Sequence, residues 1–159
     1  MTLRRSEMRL WRISDFSDLK GRGGQLASAR WHTKGRPVVY LAENPAGAMM
    51  ERLVHMFQFA GKVPRTYHLL EIEADDSLVI HDLLPLADAQ WRDRIDLTRA
   101  AGDRWLAAAA SLLAKVPSAV VPRTWNYLFN PLHPDAPRVA VVSELNETFD
   151  ARLFESRPH

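Results

Sequence analysis

The residues with the most chemistry in them fall between positions 30 and 55. Arg30 precedes an apolar, β-branched run from Pro37 to Ala42, Tyr40 sits inside that run, and Glu51 lies on the segment that follows. Such a run suits a strand buried on both faces. Asn44 is a good N-cap, and Pro45 stands at the first helical position, where its missing N–H costs nothing. Ala46, Met49, Met50, Leu53, Val54 and Phe57 then recur at the spacing of one helix face, with Glu51 off that stripe. A loop guanidinium, a strand phenol and a helix carboxylate can therefore converge at one strand end. Lys20, Arg22, Lys34 and Arg36 crowd into the same loop region as Arg30, while Arg4, Arg5 and Arg9 lead the chain. Two explanations stand beside each other: a solvated basic surface, or a pocket for a phosphate-bearing ligand.

Several chemistries are disfavoured. The chain of 159 residues has no cysteine, which removes disulfides, a thiol nucleophile and every Cys-containing zinc site. Its six histidines (32, 55, 68, 81, 133 and 159) form no His-x-x-x-His pair, so no metal is expected. Gly21-Arg22-Gly23-Gly24 lacks the following Gly-Lys-Ser/Thr of a P-loop and the spacing of a dinucleotide fold. Ser118 follows Pro117 without His and Asp support, which argues against a serine-hydrolase triad. The formal charge of +2 is weak evidence for nucleic acid. The longest apolar stretch, Trp105 to Ala114, is too short to span a membrane, and no signal peptide is visible. A cytoplasmic location is the expectation.

The elements around the central stretch follow from periodicity. Met8 to Ile13 alternates apolar and basic residues, predicting a half-buried strand with Arg12 on the side of Leu10 and Arg9 on that of Trp11. Asp18 to Ser28 reads as a loop, and the helix begun at Asn44 reads to about Ala60, before a Gly61–Pro64 turn. Strands are predicted over Thr66 to Ala74, Ser77 to Leu83, Val116 to Pro122 and Arg138 to Leu145. Leu86 to Lys115 reads as one or two helices with Gly102 as a break, Arg123 to Pro134 as a loop, and Phe149 to Phe154 as an ordered tail. Helices and strands mix without regular βα alternation in one domain spanning 1–159, so the class is α+β.

With these pieces assembled, the chain resembles the RES-domain family of toxins. The matching segments occur in order along nearly the whole chain: Leu10-Trp-Arg-Ile13, Gly21-Arg-Gly-Gly24, the stretch from Ala29 to Ala42, Met50-Glu-Arg-Leu-Val-His55, Gly102-Asp-Arg-Trp-Leu106, Val116 to Pro122, Trp125 to Pro134, and Asp150-Ala-Arg-Leu-Phe154. The arginine, glutamate and serine that give the family its name fall on Arg12, Glu51 and Ser118. Many members carry Gly-Arg-Trp-Asn where this chain has Ala29-Arg30-Trp31-His32, and the loop is lengthened here by Gln25 to Ser28.

The resemblance implies a fold like that of ADP-ribosyltransferases, a split central β-sheet with flanking helices and a cleft for NAD+. It implies the toxin of a type II toxin–antitoxin system that breaks the nicotinamide–ribose bond of NAD+, here a co-substrate, and passes ADP-ribose to a target protein in nucleotide metabolism, to phosphate or to water. The implied partner is a helix-turn-helix antitoxin covering the active site, with no direct nucleic-acid or membrane partner. Glu51, Arg12 and Ser118 are then the catalytic candidates, and Arg30, Tyr40, Asn126 and Trp31 the NAD+-binding ones. Glu51 would stabilise developing positive charge, Arg12 and Arg30 would grip the diphosphate, Tyr40 would stack on a ring, and Ser118 would bond the ligand or orient Glu51. Asn126 would recognise the carboxamide or a ribose hydroxyl, and Trp31 packs first and lines the cleft second. Two alternatives stay open: an RNA-cleaving toxin using the basic loop, His32 and His55, and a non-catalytic protein-binding module.

Overall fold

A computed structural model describes residues 6–58, 63–83 and 89–155. Among these described residues seven strands are formed: β1 (Glu7–Ile13), β2 (Val39–Ala42), β3 (Thr66–Asp75), β4 (Ile80–Asp82), β5 (Leu113–Pro117), β6 (Trp125–Phe129) and β7 (Val139–Thr148). Three α-helices among the described residues flank them, α1 (Arg22–Leu26), α2 (Pro45–Gln58) and α3 (Ile95–Ala108). All seven strands join one sheet in the order β4-β5-β6-β2-β1-β3-β7, antiparallel throughout except for β4 beside β5. The α+β class holds.

The sheet has a seam. β1 pairs with β3 along its whole length, from Glu7↔Asp75 to Ile13↔Leu69, and β2 pairs with β6 from Val39↔Phe129 to Ala42↔Asn126. Between these two halves, β1 and β2 share a single residue pair, Trp11↔Ala42. The split expected of the sheet is thus a near-parting of two ladders rather than a gap. α2 lies over it, packed on both β1 and β2. At the far side, among the described residues β7 pairs only with β3 and forms an edge of the sheet.

Consecutive residues of β5 and β6 face different cores, which is why these strands lack a simple apolar–polar alternation. Leu113 and Phe129 join Leu10, Val39, Leu41, Leu70 and Ile72 on one side; Ala114, Val116 and Leu128 join Trp31, Val38, Trp91 and Trp105 on the other. Each fully buried Leu, Ile or Phe contributes roughly 1.5–3 kcal/mol.

α3 fastens the segment that leads into β2. Thr98, Arg99, Gly102 and Asp103 recur at helical spacing and so share one face. Thr98 Oγ1 donates to Arg30 O (2.6 Å) and Arg99 Nε to Ala29 O (2.7 Å). Asp103 accepts from Thr33 N–H (2.9 Å) and Thr33 Oγ1 (2.7 Å). Between them, Gly102 lets the backbone of Trp31 approach so closely that a Cβ at 102 would lie 1.6 Å from Trp31 O.

Several sequence expectations shift. Gly102 lies inside α3 and does not break it, because its missing side chain is needed for that contact. The helical reading of 86–115 is corrected: α3 ends at Ala108, Ala109 turns left-handed at φ 47°, and β5 begins at Leu113, three residues before the predicted strand. Residues 84–88, where that reading began, lie outside the described ones, as do 59–62 at the expected end of α2 and the start of its turn. Trp125 to Phe129 is a strand between two others, not loop, since Asn126 and Tyr127 have ladder partners on both sides. Residues 22–26 coil into α1 within the expected loop. On α2 the buried residues are Gly47, Ala48 and Leu53, while Met50 and Phe57 are exposed, so the packed face is rotated from the predicted stripe.

Replacing Gly102 by Ala ordinarily strengthens a helix by about 1 kcal/mol. Here the overlap with Trp31 O wins, and Gly102→Ala is expected to destabilise by about 2–3 kcal/mol, read as a lower midpoint in denaturant unfolding.

Candidate active site at the seam of the sheet

Where β2 ends, Asn44 caps α2 as its sequence predicts: its Oδ1 accepts from Gly47 N–H (2.7 Å) and its carbonyl from Ala48 N–H (3.2 Å). The cap fixes the start of α2 beside Ala42, and a turn and a half later Glu51 points across the ends of β5 and β6. Ser118, just past β5, and Asn126, on β6 opposite Ala42, meet it there. Ser118 Oγ donates to Glu51 Oε1 (2.8 Å) and Asn126 Nδ2 donates to the same oxygen (2.9 Å). Three candidates far apart in sequence therefore form one cluster.

The direction of each bond is forced. Ser118 Oγ accepts from Val120 N–H and Val121 N–H, both at 3.1 Å, which occupy its lone pairs and leave its proton for the carboxylate. A hydroxyl so committed orients Glu51 and is not a free nucleophile. Asn126 must turn its NH2 toward the carboxylate, because an ionised carboxylate only accepts. Its Oδ1 is then buried without a partner among the described residues. Among the described residues no cation forms an ion pair with Glu51, and both of these hydrogen bonds fall on Oε1.

Tyr40 lies on the same side of the sheet, two residues before Ala42 on β2. Its hydroxyl accepts from Trp31 N–H (3.1 Å) and contacts His32 Nδ1 at 2.8 Å. His32 Nε2 lies 3.1 Å from Gly24 O and 2.9 Å from Ala27 O, so it carries the proton and Tyr40 O–H donates to Nδ1. Burial holds the Tyr40 phenol well above its ordinary value and keeps it neutral. His32, only 1% exposed, thus links the α1 turn to the strand. Sequence reasoning gave His32 no such role, because its acceptors are backbone carbonyls that no residue pattern announces.

The remaining candidates have their hydrogen bonds and ring contacts with residues other than the Glu51 cluster. Arg12, one residue past the Trp11↔Ala42 pair, donates from Nη1 to Asp18 O (3.1 Å). Burial lowers its guanidinium to about 10 although Asp18 pulls the other way. Arg30 donates to Arg92 O (2.8 Å) with its guanidinium 6.0 Å from the Trp91 ring centroid, on the α3 side. Trp31 is 2% exposed against Trp91, the packing role. Glu43, which the sequence did not single out, accepts from Trp125 N–H (3.2 Å) and continues the β2–β6 contact past the last ladder pair.

A groove of about 350 Å³ lies elsewhere, lined by Glu7, Glu73, Asp75, Pro137, Arg138 and Ala140. It shares no residue with the cluster, and its arginine is engaged by Asp75 at 3.1 Å. Among the described residues no group of three or more His, Asp or Glu side chains could hold a metal, and no helix is long and apolar enough to cross a membrane.

Comparison with known proteins is concordant. Residues 9–151 match the family model described as the RES domain. The chain is similar to a protein named Toxin Res from Pseudomonas putida KT2440, 48% identical over 147 residues, covering 92% of this chain and 100% of that protein. It is also similar to a Prs ADP-ribosylating toxin from Sphingobium sp. YBL2, 31% identical over 91% of this chain and 95% of that one. Among solved structures, the M. tuberculosis MbcT-MbcA toxin-antitoxin complex contains a chain that superposes with a TM-score of 0.66 at 18% identity, over 91% of this chain and 86% of that one, which is a likeness of fold.

Burial lowers the His32 pKa from 6.5, outweighing the carbonyls of Gly24 and Ala27 that raise it. The native state therefore binds the proton less readily than the unfolded chain, and stability present above about pH 6.5 is lost as pH falls below it. His32→Asn is expected to flatten that slope in melting temperatures recorded from pH 7.5 to 5.

Proposed function

The chain belongs to the RES domain family, and from that premise we propose that it is the toxin of a toxin–antitoxin pair that cleaves the nicotinamide–ribose bond of NAD+ and transfers ADP-ribose to a protein, phosphate or water. The observation that carries this reading is a carboxylate gripped on one oxygen by Ser118 and Asn126, beside a seam in the sheet.

Breaking a glycosidic C–N bond passes through an oxocarbenium-like state. The electron pair of the C1′–N bond returns to the pyridinium ring, so nicotinamide leaves neutral and no general acid is needed. The site must instead stabilise positive charge on the ribose, and a fixed carboxylate oxygen does so without reorganising. Ser118 and Asn126 hold Oε1, so Oε2 meets the sugar. The unpartnered Oδ1 of Asn126 accepts an O–H or N–H of the same ligand, a ribose hydroxyl or the carboxamide. Tyr40 presents a half-buried ring on the same side, suited to stacking worth roughly 0.5–1.5 kcal/mol. An acceptor then bonds to C1′ and gives up its proton.

The relatives' names support the same reading. One is called an ADP-ribosylating toxin, and the solved neighbour was captured with an antitoxin. The proposed partner is an antitoxin, and the helix-turn-helix class and the covering of the seam are what the family resemblance implies for it. An RNA-cleaving reading is disfavoured because His32, one of its two histidines, is buried with both ring nitrogens occupied.

Purified chain, free of antitoxin, is expected to consume NAD+. Glu51→Gln, which keeps the shape and removes the charge, should lower kcat by about 10²–10³. Nicotinamide release unchanged by that substitution, or absent from wild type with water, phosphate and lysate protein alike, would sink the reading.

A further inference from the structure

Two neighbouring residues of α2 reach opposite halves of the sheet. Glu51 extends to Ser118 and Asn126 beyond β5 and β6, whereas Arg52, about 100° around the helix, extends to Asp15 beyond β1. Arg52 is mostly buried, with 21% of its side chain exposed, yet its Nε–H has no partner among the described residues. Its Nη2 contacts to the Asp15 carboxylate are 3.4 and 3.5 Å, long beside the usual charge-assisted bond of about 2.7–2.9 Å. Asp15 is 84% exposed, so water competes for it and the pair contributes little. A buried guanidinium N–H with no acceptor is costly. The other two candidate arginines are engaged by backbone carbonyls, Arg12 by Asp18 and Arg30 by Arg92.

Among the described residues, the buried side-chain atoms without partners are Arg52 Nε and Asn126 Oδ1, a donor and an acceptor on either bank of the seam. A ligand that satisfies both carries an anion at one end and O–H or N–H groups at the other. On the footing of the NAD+-cleaving reading, we propose that Arg52 is the phosphate ligand of this site. Its Nε–H and Nη–H take two oxygens of one phosphate group, and Asp15, its placeholder, swings into solvent. Where that phosphate is the dinucleotide's own, Arg52 also fixes the ligand's polarity, with sugar and nicotinamide toward Asn126 and phosphate toward the end of β1. The phosphate belongs either to the dinucleotide's own diphosphate or to inorganic phosphate acting as acceptor.

The test uses the full chain with NAD+ and inorganic phosphate varied separately. Arg52→Gln is expected to raise KM for NAD+ about ten- to a hundredfold with kcat little changed. Arg52→Lys should recover part of the loss, since a point charge replaces a fork. Asp15→Asn, which removes the competing carboxylate, should lower KM. A rise confined to KM for inorganic phosphate would assign Arg52 to the acceptor instead. Both Michaelis constants unchanged in Arg52→Gln would overturn the proposal while leaving NAD+ cleavage standing. If wild type consumes no NAD+, that reading has failed, and calorimetric titration of ADP-ribose and of inorganic phosphate judges Arg52 alone. Weakening by at least about tenfold in Arg52→Gln upholds it, whereas equal affinity or no binding to wild type overturns it. Should Arg52→Gln not fold by circular dichroism, Asp15→Asn decides: a lowered KM supports the proposal and an unchanged one overturns it.

Discussion

Ser118 has one proton to give, and two backbone N–H groups decide where it goes. Because Val120 and Val121 occupy the oxygen's lone pairs, the hydroxyl can only donate, and the acceptor in reach is Glu51. That bond ties α2 to the turn after β5, and the Asn126 amide ties the same carboxylate oxygen to β6. Both ties fall on one half of the sheet. The other half meets α2 through β1 and shares one ladder pair with its neighbour. The arrangement is asymmetric by construction: a carboxylate held rigidly on one bank, and arginines on the other whose partners are backbone carbonyls or an exposed aspartate.

The loop ahead of β2 is held by a second, independent device. Four residues on one face of α3 grip Ala29 to Thr33 through two side chain–carbonyl bonds, one carboxylate pair and one glycine contact. Trp31 and His32 are thereby set where the Trp31 amide and the His32 ring both meet the Tyr40 hydroxyl. Distant helix, loop and strand converge on a single phenol oxygen, which fixes the ring without any contact from the Glu51 cluster.

How much of this was legible depends on the range of the cause. The start of α2 was plain, because Asn44 and Pro45 act on their own backbone neighbours. The pairing of Glu51 with Ser118 came from family likeness and not from spacing, since 67 residues separate the two. β6 was hidden by its composition: Trp125 to Phe129 is flanked by turn residues and faces two cores, so no period of two survived. Gly102 looked like a helix break because propensity is local, while the reason for a glycine there is the carbonyl of a residue 71 positions earlier. Nothing in the sequence singles out Arg52, because a guanidinium N–H without an acceptor among the described residues is a property of the packed state and not of a residue pattern.

β7 runs for ten residues along the rim of the sheet, and among the described residues one of its flanks is unpaired. Such a rim is a template on which a second chain can add a strand. This one exposes Val142 and Leu145, each 47% accessible, which on their own would invite stacking. Glu144 and Glu147 punctuate the same stretch and are themselves exposed, so two copies brought rim to rim would set carboxylates against each other. Glu144 is further anchored by Ser17 and His68, which keeps its charge at the rim. Charged side chains along an edge strand oppose the addition of further strands, and Glu144 and Glu147 stand where that repulsion would act.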